Sequence, residues 1–245
     1  MIRERLDTLL TKLGLVASRS QADSLIKLGK VTVDGKVVTR AGYFVSNQSV
    51  IELKSKEQYV SRAGLKLAGV TRFFKLDFRD KTILDVGSST GGFTDYALQH
   101  GAKRVIAVDV GTDQLHLKLR EHSEVELHEK TDIRSFHVDG QKPDIILIDV
   151  SFISLRRILP YIVKNLSSHD TKIVSMVKPQ FEAGKDQVNK GIIKNDSVRR
   201  KVLSDFEIWA KSYFVIIAKR DSDITGTKGN KERFYLLRPQ TNNNI

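Results

Sequence analysis

The amino-acid sequence predicts an α/β protein, in which a small α+β domain precedes a doubly wound, mostly parallel, Rossmann-like sheet with an antiparallel last strand. Two observations indicate this fold class. From residue 82 onward, short apolar strands alternate with helical segments, as they do in parallel sheets with helices on both faces. Before residue 57, two amphipathic helical segments precede paired short strands. We therefore expect domains at 1–57 and 82–245, joined at 58–81 by a linker that leads into the second domain.

The first domain is expected to contain two helices and a small antiparallel sheet. Ser18 suits the N-cap of the second helix and Gly29 suits its end, because a serine oxygen accepts from backbone N–H groups and glycine readily adopts the left-handed conformation. The Asp34-Gly35 pair between two β-branched runs predicts a hairpin. The charged stretch 54–59 has no periodic pattern and marks the linker. The expected helices cover 5–13 and 19–28, and the expected strands cover 31–33, 36–38 and 50–53.

The second domain alternates strands and helices up to its last two strands, which follow each other without a helix between them. Parallel strands need a long crossover, whereas antiparallel strands can be joined by a loop, so this last pair is expected to form an antiparallel edge hairpin. The expected strands cover 82–86, 104–108, 145–148, 173–177, 213–218 and 234–237, and the expected helices begin near Gly92 and cover 155–165 and 198–211.

The chain is strongly basic, with 41 Lys and Arg residues against 29 Asp and Glu residues and a formal net charge of +12. This excess favours a polyanionic partner, above all nucleic acid, because each neutralised phosphate releases condensed counterions. The absence of cysteine excludes disulfides, thiolate zinc sites and thiol nucleophiles, and no metal site is expected. No apolar run approaches the roughly 18 residues that span a bilayer, and the first residues lack a signal-peptide pattern, so we expect a cytoplasmic protein.

A glycine-rich turn follows the first strand of the second domain and opens a helix, which is where doubly wound sheets bind ligands. Its spacing differs from the G-x-G-x-x-G of dinucleotide enzymes, so no pyrophosphate site is expected. Asp109 ends the next strand, where a carboxylate can accept from both ribose hydroxyls, and Asp132 could meet an adenine amino group. Acidic residues in this order suit S-adenosylmethionine, a cation without phosphate. Taken singly, these positions would also suit a plain turn or a helix cap. The candidate cofactor-binding residues are Asp85, Gly87, Ser88, Ser89, Thr90, Gly91, Gly92, Phe93, Asp109 and Asp132.

Four charged residues stand at chain positions that a doubly wound fold brings to one edge of its sheet. Lys66 precedes the first strand of the second domain, and Glu232 precedes the last strand. Asp149 and Lys178 each directly follow a buried strand. Ionisable residues at strand ends belong to a functional edge rather than to the core. Surface charge is the alternative interpretation for Lys66 and Glu232.

Near-literal stretches of the chain resemble the TlyA or haemolysin A family. In this family an S4 RNA-binding domain, which residues 3–35 resemble, precedes an FtsJ-type methyltransferase domain. The resemblance covers essentially the whole chain and depends on YVSRAG at 59–64, DVGSSTGGF at 85–93, DVSFISL at 149–155 and VKPQFE at 177–182. The turn at 88–90 departs from the usual pattern, because it reads Ser-Ser-Thr where FtsJ-type enzymes more often have a proline.

The resemblance implies methylation of a ribose 2'-hydroxyl in ribosomal RNA, with S-adenosylmethionine as methyl donor and ribosomal RNA or ribosomal subunits as partners. It also implies a catalytic Lys-Asp-Lys-Glu tetrad, which corresponds in order to Lys66, Asp149, Lys178 and Glu232. Methyl transfer requires an aligned hydroxyl and the removal of its proton. We assign Lys178 as the base and Lys66 as a second cation, which favours the neutral form of the base and steadies the developing oxyanion. The two carboxylates orient these groups.

The S4-like domain implies a basic helical face that contacts phosphates and fixes the register of the RNA. Arg19 is the most specific candidate, because an arginine at a helix start can bind phosphate together with backbone N–H groups. Solvated surface charge is the alternative for each residue. Phe152 and Phe181 could stack a flipped nucleotide, although packing within the protein is the favoured role of both. The candidate RNA-binding residues are Arg3, Arg5, Lys12, Ser18, Arg19, Ser20, Lys27, Lys30 and Lys36.

The sequence leaves other functions open. A non-catalytic RNA-binding or ribosome-assembly factor would share the basic first domain, but the four intact tetrad positions argue against it. A membrane-active haemolysin, which the family name suggests, is disfavoured because the chain shows neither a spanning segment nor a long amphipathic helix. A nicotinamide dehydrogenase is disfavoured by the glycine spacing. The sequence predicts neither the modified nucleotide nor the oligomeric state.

Overall fold

The computed structural model describes residues 3–16, 18–27, 29–46, 48–53, 59–226 and 228–240, without the side chains of Ser20, Ser24 and Lys185. The chain divides into two compact units, Met1–Arg62 and Ala63–Ile245. Most of the charged stretch expected to mark the linker, residues 54–58, lies outside the described part of the chain.

The first unit contains two helices and two small antiparallel sheets around one apolar core. Its elements are β1 Arg3–Arg5, α1 Leu6–Lys12, α2 Arg19–Lys27, β2 Val31–Val33, β3 Lys36–Val38, β4 Phe44–Ser46 and β5 Ile51–Leu53. Strand β2 lies between β3 and β5, while β1 pairs with β4. Leu6, Ile26 and Val31 are fully buried, so both helices and the larger sheet supply the core. The expected end of the second helix, Leu28, lies outside the described residues.

The second unit is built around a seven-stranded sheet. Its helices are α3 Arg62–Phe74, α4 Gly92–Gln99, α5 Leu117–Arg120, α6 Leu159–Tyr161, α7 Pro179–Glu182 and α8 Asp196–Ala210. Its strands are β6 Thr82–Val86, β7 Arg104–Val108, β8 Val125–His128, β9 Ile145–Ile148, β10 Lys172–Val177, β11 Phe214–Asp221 and β12 Arg233–Pro239. The segment 58–81, expected as a linker, contains α3, whose Leu67, Val70 and Phe74 are buried.

The strand order in the large sheet is β11-β12-β10-β9-β6-β7-β8. The five strands from β10 to β8 are parallel to one another, and β12 is antiparallel to both of its neighbours. The predicted fold class, including the antiparallel last strand and the hairpin that it forms with β11, is therefore confirmed. The central strand β9 is buried along its whole length, as expected for a strand covered on both faces.

Two helical regions differ from the sequence prediction. The expected helix 155–165 consists of a 3-10 turn, α6 and a π-turn. Pro160 lies in the middle of this segment, where it has no N–H to donate to a continuous helix. Helix α8 begins earlier than expected, after Asn195, whose side chain accepts from the Ser197 backbone N–H. Within the described residues, no helix combines the length and apolar character needed to cross a membrane.

Candidate active site at the carboxyl ends of the parallel strands

A cavity of about 440 Å³ opens where the parallel strands β6, β7 and β9 end. Three strand ends contribute Val86, Val108 and the residues after Ile148 to its wall, so the sheet itself fixes the position of the cavity. This is the edge at which doubly wound folds bind ligands. The lining residues are Val86, Gly87, Ser89, Val108, Asp109, Val110, Gly111, Gln114, Thr131, Asp132, Ile133, Asp149, Val150, Ser151, Phe152, Ile153 and Ile158.

The charged side chains that line this cavity are all acidic, and two of them, Asp132 and Asp149, pair with cations outside the lining, Arg134 and Lys178. Asp109, Asp132 and Asp149 line it, and no Lys, Arg or His is among its described lining residues. A low-dielectric cleft with three carboxylates favours a cationic ligand and disfavours a phosphate. Within the described residues, no group of three or more acidic or histidine side chains is arranged to hold a metal ion.

The glycine-rich turn after β6 forms part of the cavity wall through Gly87 and Ser89. Gly87 has a φ of 80°, and a Cβ at this position would lie 2.7 Å from the Asp149 carbonyl oxygen. Gly91 has a φ of 92°, and a Cβ there would lie 2.3 Å from a methyl carbon of Leu119. Both positions therefore require glycine, the first to bring two strand ends together and the second to start α4.

The predicted residues of this turn divide into two groups. Gly87 and Ser89 line the cavity, whereas the others are not among its lining residues and build the turn and the start of α4: Ser88, Thr90, Gly91, Gly92 and Phe93. The Phe93 ring is buried against Phe234 of β12, with ring centroids 6.2 Å apart. The Ser88 hydroxyl oxygen is buried without a hydrogen-bond partner.

Asp85 is the most deeply buried acid of the predicted set and is not among the lining residues of the cavity. The Thr94 hydroxyl donates to its Oδ2 at 2.6 Å, while its Oδ1 has no partner. Burial raises the pKa of Asp85 to about 7, and the nearby Asp149 and Asp109 charges act in the same direction. That Asp85 contacts the cofactor directly therefore stays a prediction.

Asp109 and Asp132 line the cavity and also organise the adjacent backbone. Asp109 accepts from the backbone N–H groups of Ser89 at 2.8 Å and Gly111 at 2.7 Å. Asp132 caps a 3-10 turn by accepting from the Arg134 N–H, and it also pairs with the Arg134 side chain at 2.6 Å. Hydrogen bonding by that side chain holds the pKa of Asp132 below its usual range. Gln114, which the sequence analysis missed, also lines the cavity and accepts from the Ser89 hydroxyl.

Two ammonium–carboxylate pairs unite the four charged residues expected at this edge. The Lys178 Nζ lies 2.7 Å from Asp149 Oδ1 and donates to the Ser151 hydroxyl at 2.7 Å. Lys66, on α3, pairs with Glu232, and their side chains are only 9% and 4% exposed. Surface charge is therefore the wrong interpretation for Lys66 and Glu232, because both side chains are buried and each is the other's counter-ion in place of solvent.

The sheet register brings the two pairs to one edge. Val177 is paired with Arg233 across β10 and β12, so Lys178 and Glu232 stand one residue beyond this pair on neighbouring antiparallel strands. Backbone positions opposite each other in such strands are about 5 Å apart. Asp149 follows β9, the other neighbour of β10. Three adjacent strands thus present these three residues at the same edge of the sheet.

Phe152 contradicts the expectation that it packs inside the protein. Its side chain is 92% exposed, and its φ of 66° places an aromatic residue in the left-handed region, which non-glycine residues rarely occupy. Its ring contacts Phe181 with centroids 5.2 Å apart. Glu182, also missed from the sequence, supports this loop by accepting from the Ser154 hydroxyl and the Leu155 N–H, both at 2.6 Å.

The predicted RNA-binding residues lie on the first unit, where several of them form ion pairs. Asp7 binds both Arg5 and Arg19 at 2.9 Å, and the Arg5 hydrogen bond holds the pKa of this carboxyl well below its usual range. Lys12 pairs with Glu4 and Lys27 with Asp23. Ser18 accepts from the Gln21 N–H, as expected for an N-cap. Ser20 lies in α2, and the side chains of Arg3, Lys30 and Lys36 are exposed.

Comparisons with known proteins agree with this two-part architecture. Residues 59–238 match the model of the FtsJ-like methyltransferase family, and residues 4–51 match that of the S4 domain. The chain is 38% identical over 245 residues to the 16S/23S rRNA (cytidine-2'-O)-methyltransferase TlyA of Mycobacterium tuberculosis, covering 98% of this chain and 91% of that protein. It is 40% identical over 233 residues to Hemolysin A of Brachyspira hyodysenteriae, covering 93% and 97%. A solved structure from Streptococcus thermophilus, described as a hemolysin, has a TM-score of 0.75 and 39% identity, covering 98% of this chain and 90% of that one.

Proposed function

This chain belongs to the FtsJ-like methyltransferase family and carries an S4 domain ahead of its methyltransferase domain, and on this premise we propose that it methylates a ribose 2'-hydroxyl of ribosomal RNA. The name of its Mycobacterium tuberculosis relative supports this substrate and position. The observation that carries the proposal is the acidic cavity with the Lys178–Asp149 pair at its edge. The same substrate implies that the protein acts in the cytoplasm, on ribosomal RNA or on ribosomal subunits.

The cavity suits S-adenosylmethionine, which supplies a methyl group attached to a positively charged sulfur. The cavity is lined by three aspartates, of which Asp109 forms no ion pair within the described residues, and no cation is among its lining residues. These features match a cofactor that is cationic and has no phosphate. Asp109 would hold the ribose hydroxyls and Asp132 the adenine amino group, while Gly87 and Ser89 would contact the amino-acid part.

Lys178 is assigned as the general base. Its Nζ would accept the proton of the 2'-hydroxyl, and the cofactor would supply the methyl group that the ribose oxygen receives, with the sulfur leaving as a neutral thioether. Asp149 and Ser151 hold this nitrogen at the mouth of the cavity through contacts of 2.7 Å each. General-base catalysis of this kind contributes typically 10²–10⁴-fold to a rate.

Lys66 and Glu232 are assigned to support the same step. The Lys66 ammonium is held by Glu232 at the strand end next to Lys178, where it would stabilise the negative charge that develops on the ribose oxygen. The exposed Phe152 ring beside Phe181 offers a stacking surface for the target base, which must leave its own stack to bring the ribose to Lys178.

The test is methyl transfer by the purified protein. Labelled S-adenosylmethionine and ribosomal RNA from cells that lack the protein are expected to give 2'-O-methylated nucleotides with wild type. The Lys178→Ala variant is expected to lose at least 100-fold of this rate while binding the cofactor normally by calorimetry. A wild-type protein that binds RNA but neither binds the cofactor nor transfers methyl groups would instead support the non-catalytic assembly factor.

A further inference from the structure

Two loops at the active-site edge of the second unit are fastened together by one buried asparagine. The first, 189–194, precedes α8, and the second, 222–232, joins β11 to β12. Asn230 is 7% exposed, donates to the Gly191 carbonyl at 2.8 Å and accepts from the Ile193 N–H at 3.1 Å. The Lys228 Nζ donates to the Lys190 carbonyl at 3.4 Å. The two loops therefore form one surface rather than two independent loops.

This surface carries four exposed lysines: Lys190, Lys194, Lys228 and Lys231. We call it the lysine surface. The ion pairs that lysines form within the described residues all involve other lysines. The sequences 187–195 and 224–231 contain no acidic residue. Of the flanking acids, Asp223 pairs with Arg220 and Glu232 pairs with Lys66. Asp186 and Asp196, which adjoin the first of these two stretches, are exposed and form no ion pair within the described residues.

None of these four lysines forms an ion pair within the described residues, although the chain has 29 acidic residues. Elsewhere on this unit, some exposed cations pair with carboxylates, as Arg79 does with Asp77 and Lys219 with Glu207, and other lysines are also unpaired. The four lysines differ from these in standing on two loops that Asn230 joins. Like charges held close together repel one another, and a fixed cluster of them lowers its electrostatic energy by binding a polyanion. The buried Asn230 keeps the cluster in place.

The lysine surface adjoins the catalytic edge. Asn230 precedes Glu232 by two residues, and its carbonyl accepts from the Gly226 N–H at 2.9 Å. A Cβ on Gly226 would lie 2.9 Å from Glu232 Oε1, so this loop wraps closely around the carboxylate that binds Lys66. Consecutive Cα atoms are about 3.8 Å apart, which places Lys231 next to the tetrad in space as well as in sequence.

We propose that the lysine surface binds phosphates of the RNA nucleotides that flank the target ribose. The proposal rests on the proposed function, because that function places an RNA strand at this edge. Through this surface the methyltransferase unit would contact the RNA backbone itself, in addition to the contacts made by the S4 domain. Phosphate contacts position an RNA strand without reading its sequence, so the surface would align the target ribose with Lys178 rather than select the nucleotide.

The experiment compares RNA binding and methyl transfer in the full chain. The test variant replaces the four lysines by glutamine, and a second variant replaces them by arginine. A matched control replaces four exposed lysines that form no ion pair within the described residues: Lys103→Gln, Lys164→Gln, Lys172→Gln and Lys211→Gln. Lys103 directly precedes β7 and Lys172 begins β10, so the control removes the same charge at the opposite ends of the strands.

The probe is ribosomal RNA from cells that lack the protein, titrated at several salt concentrations. Each phosphate contact contributes about 0.7–0.9 to the slope of the logarithm of the RNA-binding constant against the logarithm of the salt concentration. The loss of four contacts is therefore expected to reduce the magnitude of this slope by about 3 in the test variant. Its KM for RNA is expected to rise at least tenfold, with cofactor affinity unchanged, and the arginine variant is expected to behave as wild type. Equal slopes and KM values for the test and control variants would overturn the proposal. Failure of the proposed function is recognised separately, since wild type would then bind RNA without methylating it.

Discussion

The buried pair of Lys66 and Glu232 allows the structural and catalytic roles of these residues to be separated. Their side chains are 9% and 4% exposed, so Glu232→Gln leaves an ammonium group inside the protein without its counter-charge. Removing one partner of such a pair typically costs about 3–5 kcal/mol of the free energy of unfolding. For a unit of this size, the expected fall in Tm is on the order of 10 °C.

The double variant Lys66→Met/Glu232→Gln removes both charges and is expected to recover most of the lost stability, because no unpaired ion remains in the buried site. Methyl transfer is expected to stay at least 100-fold below wild type in both the single and the double variant. Urea denaturation gives the free energies, and labelled cofactor with ribosomal RNA gives the rates. As a control, Asp77→Asn breaks the exposed pair with Arg79 and is expected to leave the free energy of unfolding close to its wild-type value, because solvent screens the charges of an exposed pair. A double variant that regains activity along with stability would refute the catalytic assignment.

Three further predictions concern the cavity and its edge. Gly87→Ala is expected to abolish cofactor binding in calorimetry, because the new Cβ would lie 2.7 Å from the Asp149 carbonyl oxygen at a φ that favours glycine. Phe152→Ala is expected to raise the KM for RNA about tenfold without changing cofactor affinity, because it removes one stacking contact worth about 1–3 kcal/mol. Burial raises the pKa of Asp85 to about 7, so its protonated form stabilises the fold at low pH and this contribution is lost as the pH rises to 7. Urea denaturation of Asp85→Asn is expected to show stability rising relative to wild type by about 4 kcal/mol between pH 4 and pH 8.

The fold could be predicted largely because its strands are unusually apolar. Strands such as β9 are buried on both faces and stand out as continuous aliphatic runs. The short strands β1 and β4 were missed, since the Arg3–Arg5 segment has no apolar pattern and forms a strand by pairing its backbone with β4. The mixture of 3-10, α and π turns around Pro160 could not be predicted either, because the spacing of apolar residues does not distinguish these types of helical turn.

The positions of the cofactor turn and of the four charged residues followed from their places at strand ends. Their pairing could not be predicted, because contacts such as that between Lys66 and Glu232 join residues 166 positions apart. Glu182 was missed for the same reason, since its partners Ser154 and Leu155 belong to a different strand end. Burial raises the pKa of Glu182, and Gln at this position would test whether its charge or only its hydrogen bonds support the loop.

Phe152 shows how tertiary structure can reverse a residue's expected role. An aromatic residue in an apolar stretch is usually buried, and the sequence favoured packing for that reason. The left-handed backbone at this position turns the ring outward instead, and its contact with Phe181 leaves it 92% exposed. No sequence pattern indicates a positive φ at phenylalanine, so only the folded structure identifies this ring as a surface feature.

We propose that this protein transfers a methyl group to a ribose hydroxyl of ribosomal RNA through Lys178. The most direct measurement is a map of 2'-O-methylation on ribosomal RNA from cells that contain the protein, lack it, or carry only the Lys178→Ala variant. At least one ribose is expected to be methylated in the first strain and unmethylated in the other two. Identical maps in all three strains would contradict the account.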